Sequence, residues 1–436
     1  MFKDKILDSI QQIIKDKQVF LVGGYLRNFY INNEISLDRD LACCCDSYNL
    51  ALEIANKLDA TFVELDNVNK IYRVVLKDKE NFFDIAQIFD NDIEKDIKRR
   101  DFTINSIFYD LNKKELIDPL NGVGDIKNKI IKVFDFKNLL DDPLRFLRIY
   151  RFLAQTGFEI DEKLAEFSKE NFKLIKNVAP ERINYEIIKI FEGKYVTKAL
   201  LKMLENGVLE LVFPFVYDVK KIPANSHHHL DLIHHLIETV NKIETNNPIL
   251  KISAFYHDIG KPSTWTIEPN GRHRFIGHDI KGAEIAKGEL EKLKFSTKQI
   301  QYISKMIKYH IYPASLINCA DNKKAFARFI RKLGSDTLDV IKLARADRLS
   351  ALGKEITQEI IERNLVHLEN LENYYREVES IALCPKAFLD GKEVMEILNL
   401  KPSKKVGEIL EELKELQLSG EINSKEEAIE YLKRLN

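Results

Sequence analysis

An α+β head followed by an all-helical remainder is the fold class this sequence predicts. Two observations carry that expectation. Up to about residue 135, short apolar runs alternate with turn residues and helical stretches, which suits a small mixed or antiparallel sheet with helices around it. From about Leu139 onward, apolar residues recur almost only at helical spacing. The chain has 436 residues, 45% of them hydrophobic, enough for about two to four cored domains.

Taken in order, residues 1–17 read as an amphipathic helix with Ile6, Ile10, Ile13 and Ile14 on one stripe. Val19–Val22 is a short strand ending at Gly23-Gly24, and a helix is expected to about Ile31. Leu37–Cys45 is the next strand and Asn49–Leu58 a helix. Thr61–Leu65, Tyr72–Lys77 and Phe82–Ile88 read as strands, the last two joined at Asp78–Asn81. The helix from Pro143 carries Arg145, Arg148 and Arg151 at spacing three. Pro214 and Pro223 mark a boundary before a His-rich block. Asn322–Leu349 is helical and basic, and the tail from Glu355 is helical. The expected domains are a head over 1–138, a helical neck over 139–222, a helical metal-binding domain over 223–352 and a helical tail over 353–436.

The 67 basic and 68 acidic residues leave a net charge of −1, so any nucleic-acid contact must come from local clusters. The five cysteines are Cys43, Cys44, Cys45, Cys319 and Cys384. They form neither a disulfide framework nor a CxxC zinc pattern, which fits a reducing interior. No stretch reaches the roughly 18 apolar residues of a membrane span. A cytoplasmic protein is expected; its oligomeric state is left open.

Asp38 and Asp40 are the strongest chemical signal. On a strand, side chains at i and i+2 share a face, so the two carboxylates converge, at a cost unless a cation sits between them. Hard oxygen ligands of this kind suit Mg²⁺ beside a triphosphate. Gly23-Gly24 before a helix allows close phosphate approach, with Arg27 one turn on; alone, the double glycine equally marks a turn. Arg99-Arg100-Asp101 precedes Thr103, Asn105 and Ser106. It reads as a phosphate clamp or as a capped helix start. Asp142 before Pro143 is a helix start, and Arg145 one turn away adds a donor that, with Asp142, could read a base edge.

These ordered blocks resemble the class II tRNA nucleotidyltransferase and bacterial poly(A) polymerase family, over roughly the first half of the chain. The resemblance rests on Gly23-Gly24-Tyr25-Leu26-Arg27-Asn28, Asp38-Arg39-Asp40, Arg99 through Ser106, Asp141-Asp142-Pro143-Leu144-Arg145 and Pro180-Glu181-Arg182-Ile183-Asn184-Tyr185-Glu186. It implies that Asp38 and Asp40 hold two Mg²⁺ ions. It also implies that Gly23, Gly24, Arg27 and Arg100 bind phosphates, with Asp101, Asn105 and Arg148 in the same nucleotide site. Asp142 and Arg145 would pair with the incoming CTP or ATP. Asn28, Ser106 and Asp141 depart from the family's Asp, Ala and Glu.

A second block holds most of the histidines: His227–His229, His234-His235, His257-Asp258, His278, then His310 and Asp347. It resembles the HD phosphohydrolase superfamily, which implies His234, His257, Asp258 and Asp347 as ligands of a second, transition-type divalent metal. His278 and His310 are candidates for a further position, and His227–His229 are placed outside the site. An inactive helical scaffold is the alternative. Lys323, Lys324, Arg328 and Arg331 are candidate tRNA contacts, against the ordinary reading of a solvated helix face. The tail resembles the family's C-terminal region, which helps hold the tRNA acceptor arm.

The expected function is addition of C, C and A from CTP and ATP to tRNA 3′ ends, releasing pyrophosphate. A dozen residues separate the Phe82–Ala86 segment from Arg99, where many CCA-adding relatives have a longer flexible loop. CC-only, A-only and poly(A) addition therefore stay open. An HD hydrolase as main activity, or a non-catalytic RNA-binding module, are the readings from other classes.

Overall fold

The computed structural model describes residues 3–224, 229–319, 323–383 and 387–434. His227, His228 and Cys384 lie outside them. The chain forms two compact units, Met1–Val208 and Leu209–Asn436.

The first unit is built on a seven-stranded sheet: β1 (Val19–Val22), β2 (Asp38–Cys43), β3 (Thr61–Asp66), β4 (Ile71–Val75), β5 (Phe82–Gln87), β6 (Phe108–Asp110) and β7 (Glu115–Ile117). Its order is β3-β4-β5-β2-β1-β6-β7. All pairings are antiparallel except β2 with β5, so the sheet is mixed, as the head's pattern predicts. β1 is buried throughout and lies between β2 and β6 inside the sheet, which fits its unbroken Val-Phe-Leu-Val run. Helix α1 (Gly24–Asn32) follows at once, and α2 (Ser47–Leu58) is N-capped by Asp46, which accepts from the Asn49 N–H at 2.8 Å.

Residues 1–17 are not one helix. Lys5–Ser9 and Gln11–Ile14 are short helices separated at Ile10. Asp4 caps the first and is itself almost fully buried, accepting from Arg39 Nε at 2.9 Å and Nη2 at 3.2 Å and from the Tyr25 hydroxyl at 2.9 Å. Arg39 also donates to Leu37 O and Asn81 Oδ1. Because side chains alternate along a strand, this clamp on Arg39 holds Asp38 and Asp40 toward the other face of β2.

The connection after β5 is partly helical. Helix α3 (Ile93–Arg99) is capped by Asp92. The neck contributes α4 (Leu144–Thr156) and α5 (Pro180–Glu192), which lie against each other. The proline at the start of α5 has no N–H to leave unpaired there.

Among the described residues, the second unit is helical apart from a two-stranded ribbon near Thr266–Arg274. Its elements include α6 (Leu232–Lys242), α7 (Pro248–Tyr256), α8 (His278–Lys292), α9 (Thr297–Tyr309), α10 (Lys323–Leu333), α11 (Thr337–Ser350) and the long α12 (Gln358–Leu383). The helices α13 (Gly391–Ile397), α14 (Lys404–Leu418) and α15 (Lys425–Arg434) share an apolar cluster around Val394, Leu413 and Leu432. Among the described residues, no helix is long and apolar enough to cross a membrane.

Candidate active site and second metal centre

The first site sits where β1 ends. Gly23 has φ +69°, and a Cβ there would lie 2.7 Å from Asp40 Oδ2; only glycine admits both the backbone and the close approach. The Gly24 N–H donates to the Asp40 carboxylate. Carboxylate oxygens of Asp38, Asp40 and Asp84 lie within 4.8 Å of one another. Asp84 joins the pair because β5 runs parallel to β2 with Asp84 opposite Asp40. Its signal in the sequence is an acidic residue in an apolar strand, and only the parallel pairing makes it a partner. Arg73 donates to both Asp84 oxygens at 2.7 Å.

This trio fits a divalent cation. Burial, then Asp40 and Asp84, push the Asp38 carboxyl up to about 7, and burial with Asp84 raises Asp40 as well. Asp38 Oδ1 is buried with no hydrogen-bond partner. Crowded anions with an unpartnered oxygen are what a bound cation relieves.

Around the trio the clamp residues are already ordered. Arg27 Nη1 donates to Asn105 Oδ1 at 2.6 Å, with its guanidinium 5.0 Å from the Phe152 ring centre. Burial and the nearby Arg151 lower its pKa to about 10. Buried Asp96 accepts from both Arg99 (2.9 and 2.6 Å) and Arg100 (3.2 Å twice). Asp101 neither caps a helix nor faces solvent: it pairs with Arg148 at 2.5 Å and accepts from Asn105 Nδ2 at 3.0 Å. Burial would raise it, but Arg148 and Asn105 hold it at about 2. Arg151 donates to buried Glu186 at 3.0 Å. The Nε groups of Arg27, Arg148 and Arg151 are buried without partners, and all three guanidinium groups lie against the Phe152 ring.

The side chains of Asp142 and Arg145 take different hydrogen-bond partners. Arg182 of α5 donates to both Asp142 oxygens, at 3.1 and 2.9 Å. Arg145 Nη1 donates to the carbonyls of Arg99 and Asn138, both at 3.0 Å, which ties α4 to the end of α3. Nothing local to the Pro180–Glu186 block marks Arg182 as this partner, forty residues from Asp142.

The second cluster lies wholly in the second unit. His235, His257, Asp258 and Asp347 offer ligand atoms within 4.8 Å of one another, and Asp258, His278 and His310 form a second set that shares Asp258. His234 is therefore corrected to His235. His234 is exposed at the start of α6, its ring against Asp231 at 2.7 Å, whereas the His235 ring is fully buried. Neighbouring helix positions point about 100° apart, so only one of the two can face α7 and α11. His229 accepts from the Leu352 N–H at 3.2 Å and is in neither ligand set.

The donor set fits metal. His278 and His310 each approach a backbone carbonyl through Nδ1, at 2.7 and 2.6 Å, and their Nε2 atoms stand 3.3 Å apart. Donating at Nδ1 leaves both Nε2 lone pairs facing each other unless a proton or a metal lies between. His257 is held the same way by Ala254 O at 2.8 Å, with its Nε2 3.3 Å from His235 Nε2. Burial would raise Asp258, but His257 and Lys261 hold it well below the usual carboxylate range. Lys261, an ion-pair partner of Asp258, is itself buried.

Of the basic candidates on α10, Arg331 is corrected: it pairs with Glu411 and, at 2.5 Å, with Glu415 of α14, so its charge is already matched within the unit. Arg328 is exposed, with a weaker Glu415 contact at 3.4 Å; Lys323 is exposed and Lys324 half-buried.

Comparison with known proteins covers both units. A poly A polymerase head domain model matches residues 19–132, a probable RNA- and SrmB-binding site of polymerase A matches 157–219, and an HD domain matches 226–352. In its matched domains and in the relatives that follow, the chain is similar to the tRNA nucleotidyltransferase and poly(A) polymerase family. It is a nucleotidyltransferase with an HD domain. It is 28% identical over 424 residues to an A-adding tRNA nucleotidyltransferase of Deinococcus radiodurans, spanning 95% of this chain and 94% of the relative. It is likewise 28% identical over 419 residues to a CC-adding tRNA nucleotidyltransferase of Synechocystis, spanning 96% and 94%. The fold matches a CCA-adding enzyme of Bacillus stearothermophilus in complex with CTP, with TM-score 0.68 and 19% identity over 99% of this chain and 96% of that one.

Proposed function

We propose that this protein adds nucleotides to the 3′ end of tRNA without a template, drawing on CTP or ATP. The observation that carries the reading is the Asp38–Asp40–Asp84 trio beside Gly23, with the arginines of α1, α3 and α4 around it. The RNA 3′-hydroxyl attacks the α-phosphorus, one P–O bond forms, and the bond to the β-phosphate breaks to release pyrophosphate. Asp38, Asp40 and Asp84 hold the divalent cations, for which Mg²⁺ is the natural choice. Such ions supply a lowered hydroxyl pKa and charge neutralisation. The Gly23-Gly24 turn lets the phosphates approach β1, and Arg27 and Arg100 offer donors to them. Asp142, oriented by Arg182, and Arg145 present the acceptor and donors that select the base.

The scope of addition has two readings. Full CCA addition is the first. Partial addition, CC or A alone, is favoured by a specific observation: the relatives matched over about 95% of this chain carry A-adding and CC-adding names. The short connection to Arg99, which includes α3, agrees with it. Purified protein would be offered tRNA transcripts ending before CCA, after C and after CC, with CTP, ATP or both. Addition of A to the CC-ended tRNA and of C to the others supports full activity; failure of either half assigns a partial enzyme. Asp40→Ala is expected to abolish all incorporation, and retained incorporation refutes the site.

A second activity is supported by the two ligand sets sharing Asp258: hydrolysis of a phosphate ester at the HD centre, with a transition-type divalent metal. His257→Ala is expected to spare nucleotide addition and remove phosphatase activity; equal loss of both refutes two separate sites.

A further inference from the structure

A cavity of about 250 Å³ opens on the second metal centre, with Asp258, His278, His310 and Asp347 in its wall. The HD domain match ends at residue 352, yet the cavity is closed by residues beyond it. Ile356, Asn364, His367 and Leu368 complete the lining, the last three from α12. The helix that begins the tail is thus part of the HD cavity.

Two polar groups on that helix have one chemical sense. The His367 ring is 4% exposed, its Nε2 lies 2.9 Å from Pro313 O, and its Nδ1 is buried with no partner. In a neutral imidazole whose Nε2–H donates, Nδ1 is an acceptor. Asn364 donates from Nδ2 to Ile360 O at 2.6 Å, which leaves its Oδ1 as an acceptor. On the metal side the cavity has Lys261 and Arg348, both cationic, and the Arg348 Nε is buried without a partner. Ala344 and Leu368 add apolar surface to the same lining. One cavity therefore holds cations and metal ligands from the HD helices together with acceptors from α12.

We infer that α12 selects the substrate of the HD centre: His367 and Asn364 accept hydrogen bonds from a small phosphate ester that carries a hydroxyl or amino donor away from its phosphate. The inference rests on the hydrolase reading of that centre. An acceptor buried without a partner is costly, and a ligand donor relieves that cost, so an ester lacking the donor binds less well even when its shape is the same. His367 is a specificity-determining residue here, acting on the part of the ligand that does not react.

The test is equilibrium binding, which needs no turnover. Full-length protein loaded with Mn²⁺ is titrated by calorimetry with 4-methylbenzylphosphonate and with 4-aminobenzylphosphonate, a non-hydrolysable pair of nearly the same shape in which a methyl group replaces the amino donor. The amino compound is expected to bind about 3–10-fold more tightly, the worth of one neutral hydrogen bond. His367→Phe, which retains an aromatic ring against Phe326, is expected to reduce the affinity ratio, with Asn364 left as the remaining acceptor. Asn364→Leu, which leaves the His367 bond to Pro313 in place, is expected to reduce the ratio and serves if His367→Phe fails to fold. Equal binding of the two compounds to wild type, or an unchanged ratio in both variants, overturns the inference and leaves the hydrolase reading standing. Binding of neither compound to wild type overturns both.

Discussion

Substituting Gly23→Ala tests whether the nucleotidyl site depends on the close packing of β1 against the DxD strand. Two costs follow from the structure. Gly23 has φ +69° and ψ −134°, a conformation that essentially only glycine occupies, so an alanine there stores about 1–3 kcal/mol of strain. The new Cβ would also meet Asp40 Oδ2 at 2.7 Å, closer than the 3.0 Å below which real Cβ atoms essentially never come. The carboxylate must therefore retreat by several tenths of an ångström. A functional group held to about 0.5 Å tolerance loses much of its effect on such a shift, and kcat is expected to fall about 10–100-fold. Gly207→Ala separates the two costs: its φ is +68°, but a Cβ there meets nothing within 4 Å. It carries backbone strain alone. Both variants should lose thermal stability, by about 2–4 °C per kcal/mol for a unit of this size. Only Gly23→Ala should lose incorporation of labelled CTP or ATP into tRNA. A Gly23→Ala enzyme within about threefold of wild-type kcat/KM, or equal loss of activity in Gly207→Ala, would refute the reasoning.

Asp4→Ala removes one half of a buried ion pair whose side chains are each 3% exposed, and is expected to destabilise the first unit by about 3–5 kcal/mol at pH 7 in urea unfolding. Although burial opposes it, the Asp4 carboxyl is held below its ordinary 3.8 by Arg39 and Tyr25. Its contribution is therefore complete above that value and is lost as pH falls through the folded pKa; the gap between variant and wild type should narrow in acid. His235→Ala is expected to lose one equivalent of bound Mn²⁺ by elemental analysis, while His234→Ala keeps the wild-type content; the reverse result would restore His234 as the ligand. Arg182→Ala frees the Asp142 carboxylate and is expected to raise the KM for the nucleotide about tenfold with kcat within about threefold, and Arg182→Lys to recover part of it. A fall in kcat alone would place Arg182 outside base selection.

Much of the site was legible because its signals are local. The strand of Asp38 and Asp40, the Gly23-Gly24 turn and the Pro143 helix start each depend on a few adjacent residues and on the period of two or 3.6 that those residues impose. The mixed head and the helical remainder follow from the same periods. Segment ends were less sharp, as the break at Ile10 shows, because an apolar stripe does not reveal where hydrogen bonding is interrupted.

What only the tertiary structure decided are the partnerships between distant segments. Asp84 becomes a third carboxylate because β5 lies parallel to β2 in one particular register. Asp142 takes Arg182 rather than Arg145 because α5 packs against α4. His235 replaces His234 because the packing of α6 sets which of two adjacent residues is buried. Arg331, one of a run of like charges in the sequence, is neutralised by glutamates some eighty residues away. The HD cavity takes its last wall from α12. Periodicity along a chain dictates which side chains share a face; which face meets which is set by burial of apolar area and pairing of buried charge across the whole fold.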